Sequence, residues 1–151
     1  MDMSPKGDAV GFVRVLDEKL IAIPDRLGNK RADTFENLLV NPEVGIIFLI
    51  PGFNYILGVS GKGQVVRDAE LQEQFSVKGE QPNLILVVTV EEAFVHCAKS
   101  IARSNIWNLN NWPDTKGIQS YAAATVEHAK LAETIDEMQE MIDKDFDTRM
   151  Y

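Results

Sequence analysis

Short apolar and β-branched runs follow one another so closely in this chain that an antiparallel sheet is the natural arrangement. Val10–Leu16 (VGFVRVL) and Leu20–Ile23 (LIAI) are separated only by Asp17-Glu18-Lys19, the spacing of a tight hairpin. Val44–Ile50 (VGIIFLI) stops at Pro51-Gly52, Tyr55–Val66 follows as a long strand, and Leu84–Val90 (LILVVTV) is a further apolar strand. A parallel sheet would need longer crossovers. Val44–Ile50 lacks alternation, which predicts a strand buried on both faces. Gly58, Gly61 and Gly63 inside Tyr55–Val66 mark bulges, bends or close approach of another group. Ala32–Val40, with Phe35, Leu38 and Leu39 on one face and Asn41-Pro42 as a stop, predicts a short amphipathic helix, and Asp68–Phe75 one or two helical turns. The expectation is a mainly β fold with helices (α+β), a small closed or partly closed antiparallel barrel, because closure removes exposed strand edges.

The last third reads differently. From Ser120 to Phe146, Tyr121, Ala124, His128, Leu131, Ile135, Met138 and Ile142 recur at steps of three and four and predict one long helix. The chain therefore divides into a barrel domain, residues 1–117, and a C-terminal acidic amphipathic helix, residues 118–151, which carries −5 of the net charge of −8. The narrow seam of this helix suits packing on the barrel or against a partner chain. Phe94–Ser104 reads as a short helix carrying His96 and Cys97, and Asn105–Gly117 as irregular.

Several function classes are disfavoured. A sequence pI of about 4.7 with no basic patch argues against nucleic acid as a partner. The longest apolar run, Val44–Tyr55, is broken by Pro51, Gly52 and Asn54, well short of the roughly 20 residues a membrane-spanning helix needs. The lone Cys97 cannot form an internal disulfide and no charged-then-apolar leader is present, which together suggest a cytoplasmic protein. One Cys and two His cannot supply four tetrahedral metal ligands without carboxylates, so no metal is expected, and Cys97 reads as a small buried apolar residue.

The densest positive cluster is Asp25-Arg26-Leu27-Gly28-Asn29-Lys30-Arg31, which follows a strand and opens a helix. Free N–H groups and the positive end of the helix dipole attract anions there, and Lys and Arg add charge-assisted bonds, so this is a candidate phosphate site. The same residues read equally well as a Gly-Asn turn flanked by solvated cations. Ser4-Pro5-Lys6-Gly7-Asp8 forms a second turn with a cation. Arg14, inside the first strand, must reach solvent at a rim or an anion in a cleft.

In order and spacing these motifs resemble the pyridoxamine 5'-phosphate oxidase-like family of FMN-binding split barrels. The motifs are Arg14 in a strand, the hairpin, Leu20–Ile23, Gly28-Asn29-Lys30-Arg31, and Asn41-Pro42 before Val44–Phe48. Ser4-Pro5-Lys6-Gly7-Asp8, Phe48-Leu49-Ile50-Pro51-Gly52, His96-Cys97-Ala98-Lys99 and Arg103-Ser104 to Trp107 look like one uncharacterised subgroup of it. The resemblance implies a six-stranded Greek-key split β-barrel, working as a homodimer with FMN bound in clefts between subunits. It implies that Lys30 and Arg31 grip the FMN phosphate, with Arg14 near the same phosphate. Asp25 and Asn29 would lie where the loop approaches the flavin, Lys6 and Gly7 on the segment leading into the cleft, and Trp107 near the cofactor. Family members usually carry a helix and a strand ahead of the Ser-Pro-Lys-Gly segment, so either the start is truncated or residues 1–8 rebuild that edge. Gly58 stands where subgroup members often carry Arg. The implied function is an FMN-dependent oxidoreductase acting on a small-molecule substrate or electron donor; the alternative is a non-catalytic module that binds flavin, or another anionic planar ligand, for storage or sensing. The flavin would carry the chemistry, so no catalytic side chain is assigned.

Overall fold

The computed structural model describes residues 2–28 and 32–150. They form two compact units, Met1–Asn111 and Trp112–Tyr151. The first unit is an α+β fold around one five-stranded antiparallel sheet in the order β1-β2-β5-β4-β3. Its strands are β1 (Arg14–Asp17), β2 (Leu20–Pro24), β3 (Glu43–Phe48), β4 (Ile56–Val66) and β5 (Ile85–His96). β3, β4 and β5 are successive neighbours and β2 returns beside β5, a Greek-key order.

The hairpin at Asp17-Glu18-Lys19 forms as the sequence suggests, with Asp17 paired to Leu20. The first strand is shorter than expected because Gly11 takes φ +88° and the Phe12 amide bonds back to the Ala9 carbonyl, so a turn occupies Ala9–Phe12. Barrel closure is not made. β1 and β3 stand at opposite edges of the sheet, and all four residues of β1 are exposed, which leaves little strand to bridge the gap. The described residues supply five strands where the resemblance implies six.

Helices cover both faces of the central strands. α1 (Asp33–Val40) contributes Leu38 to a core with Ile23, Leu86 and Val88, flanked by Phe12, Phe35, Val44 and Val65. On the other face, α2 (Ala69–Gln74) leads into Phe75, which packs with Ala22 and Ile85. Alternate residues of β5 thus serve opposite layers, as the period of two requires. α2 is started by the Asp68 side chain, which accepts a bond from the Leu71 amide at 2.8 Å.

Three expectations are corrected here. β3 is not buried on both faces; it is an edge strand whose residues alternate, with Ile47 68% exposed. β5 runs on through His96, so His96 lies on a strand and only Lys99–Ser104 (α3) is helical; pairing of Ile56–Ser60 with Glu92–His96 holds this segment extended. Cys97 is exposed, because it follows the strand where the chain has left the core.

The C-terminal helix is also two helices, α4 (Tyr121–Ala129) and α5 (Ile135–Thr148). Lys130 ends α4 in the left-handed region at φ +51°, and Thr134 starts α5 with a capping box closed by Glu137. The Thr134 hydroxyl and backbone amide hold the Glu137 carboxylate below its ordinary pKa, the backbone bond contributing most. A depressed folded-state pKa gives stability that is present above the ordinary carboxylate range and is lost as pH falls through the lowered value. Acid titration of helicity by far-UV circular dichroism is therefore expected to show a loss at low pH that Glu137→Gln lacks. Equal profiles for the two proteins would contradict it.

The glycines of β4 have distinct causes. The sheet shifts register between Ser60 and Gly61, and a Cβ at Gly61 would stand 2.0 Å from the Thr89 carbonyl oxygen on β5. Backbone cannot yield as a side-chain tip can, so Gly61→Ala is expected to cost ~3 kcal/mol, the top of the usual range for overpacking. Gly45, with nothing within 4 Å of its Cβ position, is the matched control. Urea unfolding midpoints should separate the two variants, and similar midpoints would refute the bulge argument.

Candidate functional site

Two of the predicted site residues, Lys6 and Asp25, meet where the segment before β1 runs alongside the end of β2. Two oppositely oriented ion pairs join the two segments: Lys6 Nζ lies 2.8 Å from Asp25 Oδ1, and Arg26 Nε lies 2.5 Å from Asp8 Oδ2. Asp25 is positioned by its own amide, which donates to the Leu84 carbonyl at 2.9 Å and so continues the β2–β5 ladder past Pro24. Lys6 also sits 5.4 Å from the Phe35 ring centroid, a cation–π contact.

Asp8 and Arg26 are the deepest charged groups here, their side chains 3% and 16% exposed. Arg26 also donates from its terminal nitrogen to the Phe75 carbonyl at 2.9 Å. Arg14 donates to the neighbouring Gln74 carbonyl, and its guanidinium lies 4.9 Å from the Phe75 ring centroid. Both arginines therefore meet carbonyls at the C-terminal end of α2, where the helix leaves them without intrahelical partners. A pocket of about 120 Å³ opens between these groups and Ala9–Phe12. That is small beside the roughly 300–1,000 Å³ of a typical cofactor site.

Sequence reasoning placed Lys6, Gly7, Arg14 and Asp25 at the site, and the structure brings Lys6 and Asp25 into contact. Asp8 and Arg26 stand in the two turn motifs without a role of their own, although the opposed charge order of Lys6…Asp8 and Asp25-Arg26 is the signal for their pairing. Asn29, Lys30 and Arg31 lie outside the described residues. The first turn of α1 carries Asp33 and Glu36, which already complement the helix dipole.

Trp107 is placed elsewhere. Its indole nitrogen donates to the Phe53 carbonyl at 2.8 Å, in the turn between β3 and β4. That turn adjoins the His96 end of β5, whereas Asp25 adjoins the Ile85 end. The strand has 12 residues, spanning roughly 35 Å at ~3.3 Å per residue.

Among the described residues no group of three or more His, Cys, Asp or Glu could hold a metal ion. None of their helices is long and apolar enough to cross a membrane.

Antiparallel strands in Greek-key order, with a helix on each face, set an ion-paired corner beside the end of β2. The family model described as Pyridoxamine 5'-phosphate oxidase matches residues 2–97, and the chain belongs to that family. Crystal structures of HupZ from Group A Streptococcus and of a histidine-to-alanine variant of it are similar to this chain at 16% identity and a TM-score of 0.45. The matches cover 56% of this chain and 68% and 73% of those chains. No curated protein matches the chain.

Proposed function

We propose that this protein binds FMN at the corner between Ser4–Asp8 and the Asp25–Arg31 loop, and acts as a homodimeric FMN-dependent oxidoreductase on a small-molecule substrate or electron donor. The observation that carries the reading is the family match over residues 2–97. Several features support it. Arg14 and Arg26 line one pocket with Phe12, Phe75 and Val77, beside Asp8, Gln74 and Ser76, and cations next to an apolar wall suit an anionic tail on a flat ring. The small volume open within one copy, and the separation of Trp107 from Lys6, suit a cofactor shared between two copies.

Bound FMN would supply hydride or electron transfer. This chain's residues would hold the phosphate, through Lys30 and Arg31 with Arg14 close by, and would orient the ring along the Lys6-Gly7 segment. The test is the visible spectrum of the purified protein, followed by titration with FMN and with riboflavin. FMN is expected to bind at least about tenfold more tightly, since one charge-assisted hydrogen bond to phosphate is worth roughly 1.5–3 kcal/mol. Equal affinity for the two flavins would end the phosphate assignment. Bleaching of the bound flavin by a nicotinamide donor would mark the enzyme; a flavin that no donor reduces would mark a storage or sensing module.

A further inference from the structure

We infer that α5, in the Trp112–Tyr151 unit, docks a basic amphipathic helix of another protein. The partner's apolar row sits on Ile135 and Phe146, and its cations meet Asp136, Glu140, Asp143 and Asp147. This docking needs no flavin and stands apart from the reading above.

The unit is short of core. Among its described residues only Ala122 and Met138 are buried, although α4 and α5 pack on each other. It lies near the size, about 40 residues, below which a chain needs support from outside its own core. α4 has 9 residues and α5 has 14, lengths at which an isolated helix is marginal in water. Their stability comes from packing of apolar faces, and part of that face is uncovered.

The uncovered part is ordered. Ile135, Ile142 and Phe146 follow one another at steps of seven and four and so share one stripe of α5. Met138 is buried and Ile142 partly covered, whereas Ile135 and Phe146, at the two ends of the stripe, are 49% and 64% exposed. Beside it runs a second stripe, Asp136, Glu140, Asp143 and Asp147, at steps of four, three and four, with every member exposed. Gln139 lies between the two and donates to Asp143 at 2.8 Å. Among the described residues none of these four acids is in an ion pair. The helix dipole favours Asp136 in the first turn, but Asp147 lies in the last turn, where the dipole opposes an anion and no basic residue offsets it. A cation supplied from outside therefore relieves both the crowding along the row and the clash at its end.

That chemistry selects the occupant. Anionic lipid and nucleic acid would meet a row of like charge. A second copy would set acids against acids, since the cations near the row are Lys144 and Arg149, and Arg149 is held by Asp145 at 2.5 Å. A helix whose apolar row is bordered by Lys or Arg fits both stripes at once: spaced apolar anchors give affinity, and the flanking charges give register and partner choice. From Ile135 to Phe146 the stripe is about 16 Å long at ~1.5 Å per residue, three turns of such a partner.

The test is fluorescence anisotropy on the full chain with a labelled probe peptide, two heptads of Leu-Lys-Lys-Leu-Leu-Lys-Leu, and with its counterpart carrying Glu for Lys. The Lys peptide is expected to bind with a Kd below about 50 μM and the Glu peptide not to bind. Phe146→Ser and Ile135→Ser should each weaken binding at least about fivefold, and Asp143→Lys with Asp147→Lys at least about tenfold. Glu18→Lys with Glu80→Lys makes the same change in net charge on the other unit and should leave the affinity within about twofold. No binding, equal binding of the two peptides, or an equal loss in the matched control overturns the docking. Sedimentation of the parent covers the other occupant: a dimer that Phe146→Ser dissociates would put a second copy on the stripe and overturn it as well. Should the variants lose helicity, hydrogen exchange in the parent decides. The α5 amides are expected to slow at least about fivefold when the Lys peptide is added, and unchanged exchange overturns the docking.

Discussion

Arg26→Ala is expected to destabilise the Met1–Asn111 unit by about 2–3 kcal/mol, the cost of losing a charge-assisted hydrogen bond at a partly buried group. Arg26 is the hub of the corner: its Nε meets the Asp8 carboxylate at 2.5 Å and its terminal nitrogen meets the Phe75 carbonyl at 2.9 Å. Truncation takes one partner from a carboxylate that is 3% exposed and that keeps its bond from the Ala9 amide, and releases a carbonyl of the buried Phe75. Arg26→Lys should recover only part of the loss, because an ammonium cannot span both acceptors as the planar fork does. Replacing both members, Asp8→Asn with Arg26→Met, is expected to cost less than Arg26→Ala alone. Urea unfolding followed by circular dichroism measures all of these. A loss under about 1 kcal/mol for Arg26→Ala would show the pair behaving as an ordinary surface bridge.

Replacing Lys30 and Arg31 together by alanine is expected to weaken FMN binding by roughly 3–6 kcal/mol, about 10²–10⁴-fold in Kd, if each contributes one charge-assisted hydrogen bond. Affinity for riboflavin should stay as in the parent, since the lost partner is the phosphate. The riboflavin arm separates loss of the grip from general damage to the cleft: a parallel fall in both affinities would place the lesion elsewhere. Unchanged FMN affinity would remove Lys30 and Arg31 from the site, leaving Lys6, Arg14 and Arg26 as the cations to test next.

Much of the sheet was legible because its signals are local. The Asp17-Glu18-Lys19 turn, the Pro51-Gly52 stop and the Gly61 bulge each follow from what one or two residues permit the backbone to do. The division of the C-terminal segment was missed for an instructive reason. Leu131 and Ile135 keep a four-residue step across the break, so periodicity alone runs through it, while Thr134…Glu137, a capping box written in the sequence, marks the new start. The extension of β5 through His96 had no local signal. Glu91-Glu92-Ala93 suits a helix as well as a strand, and only pairing with β4 decides between them.

The site divides along the same line. Which residue types could hold an anion, and that they cluster around Asp25–Arg31, is a matter of composition and order that the chain states by itself. That Lys6 and Asp8 cross-pair with Asp25 and Arg26, that Arg14 spends its charge on the end of α2, and that Trp107 stands at the other end of β5 were decided by the fold. Ion pairs between residues 18 or 19 positions apart depend on where two segments are laid side by side, and that is set by burial of Ile23, Leu86 and Val88 in the shared core.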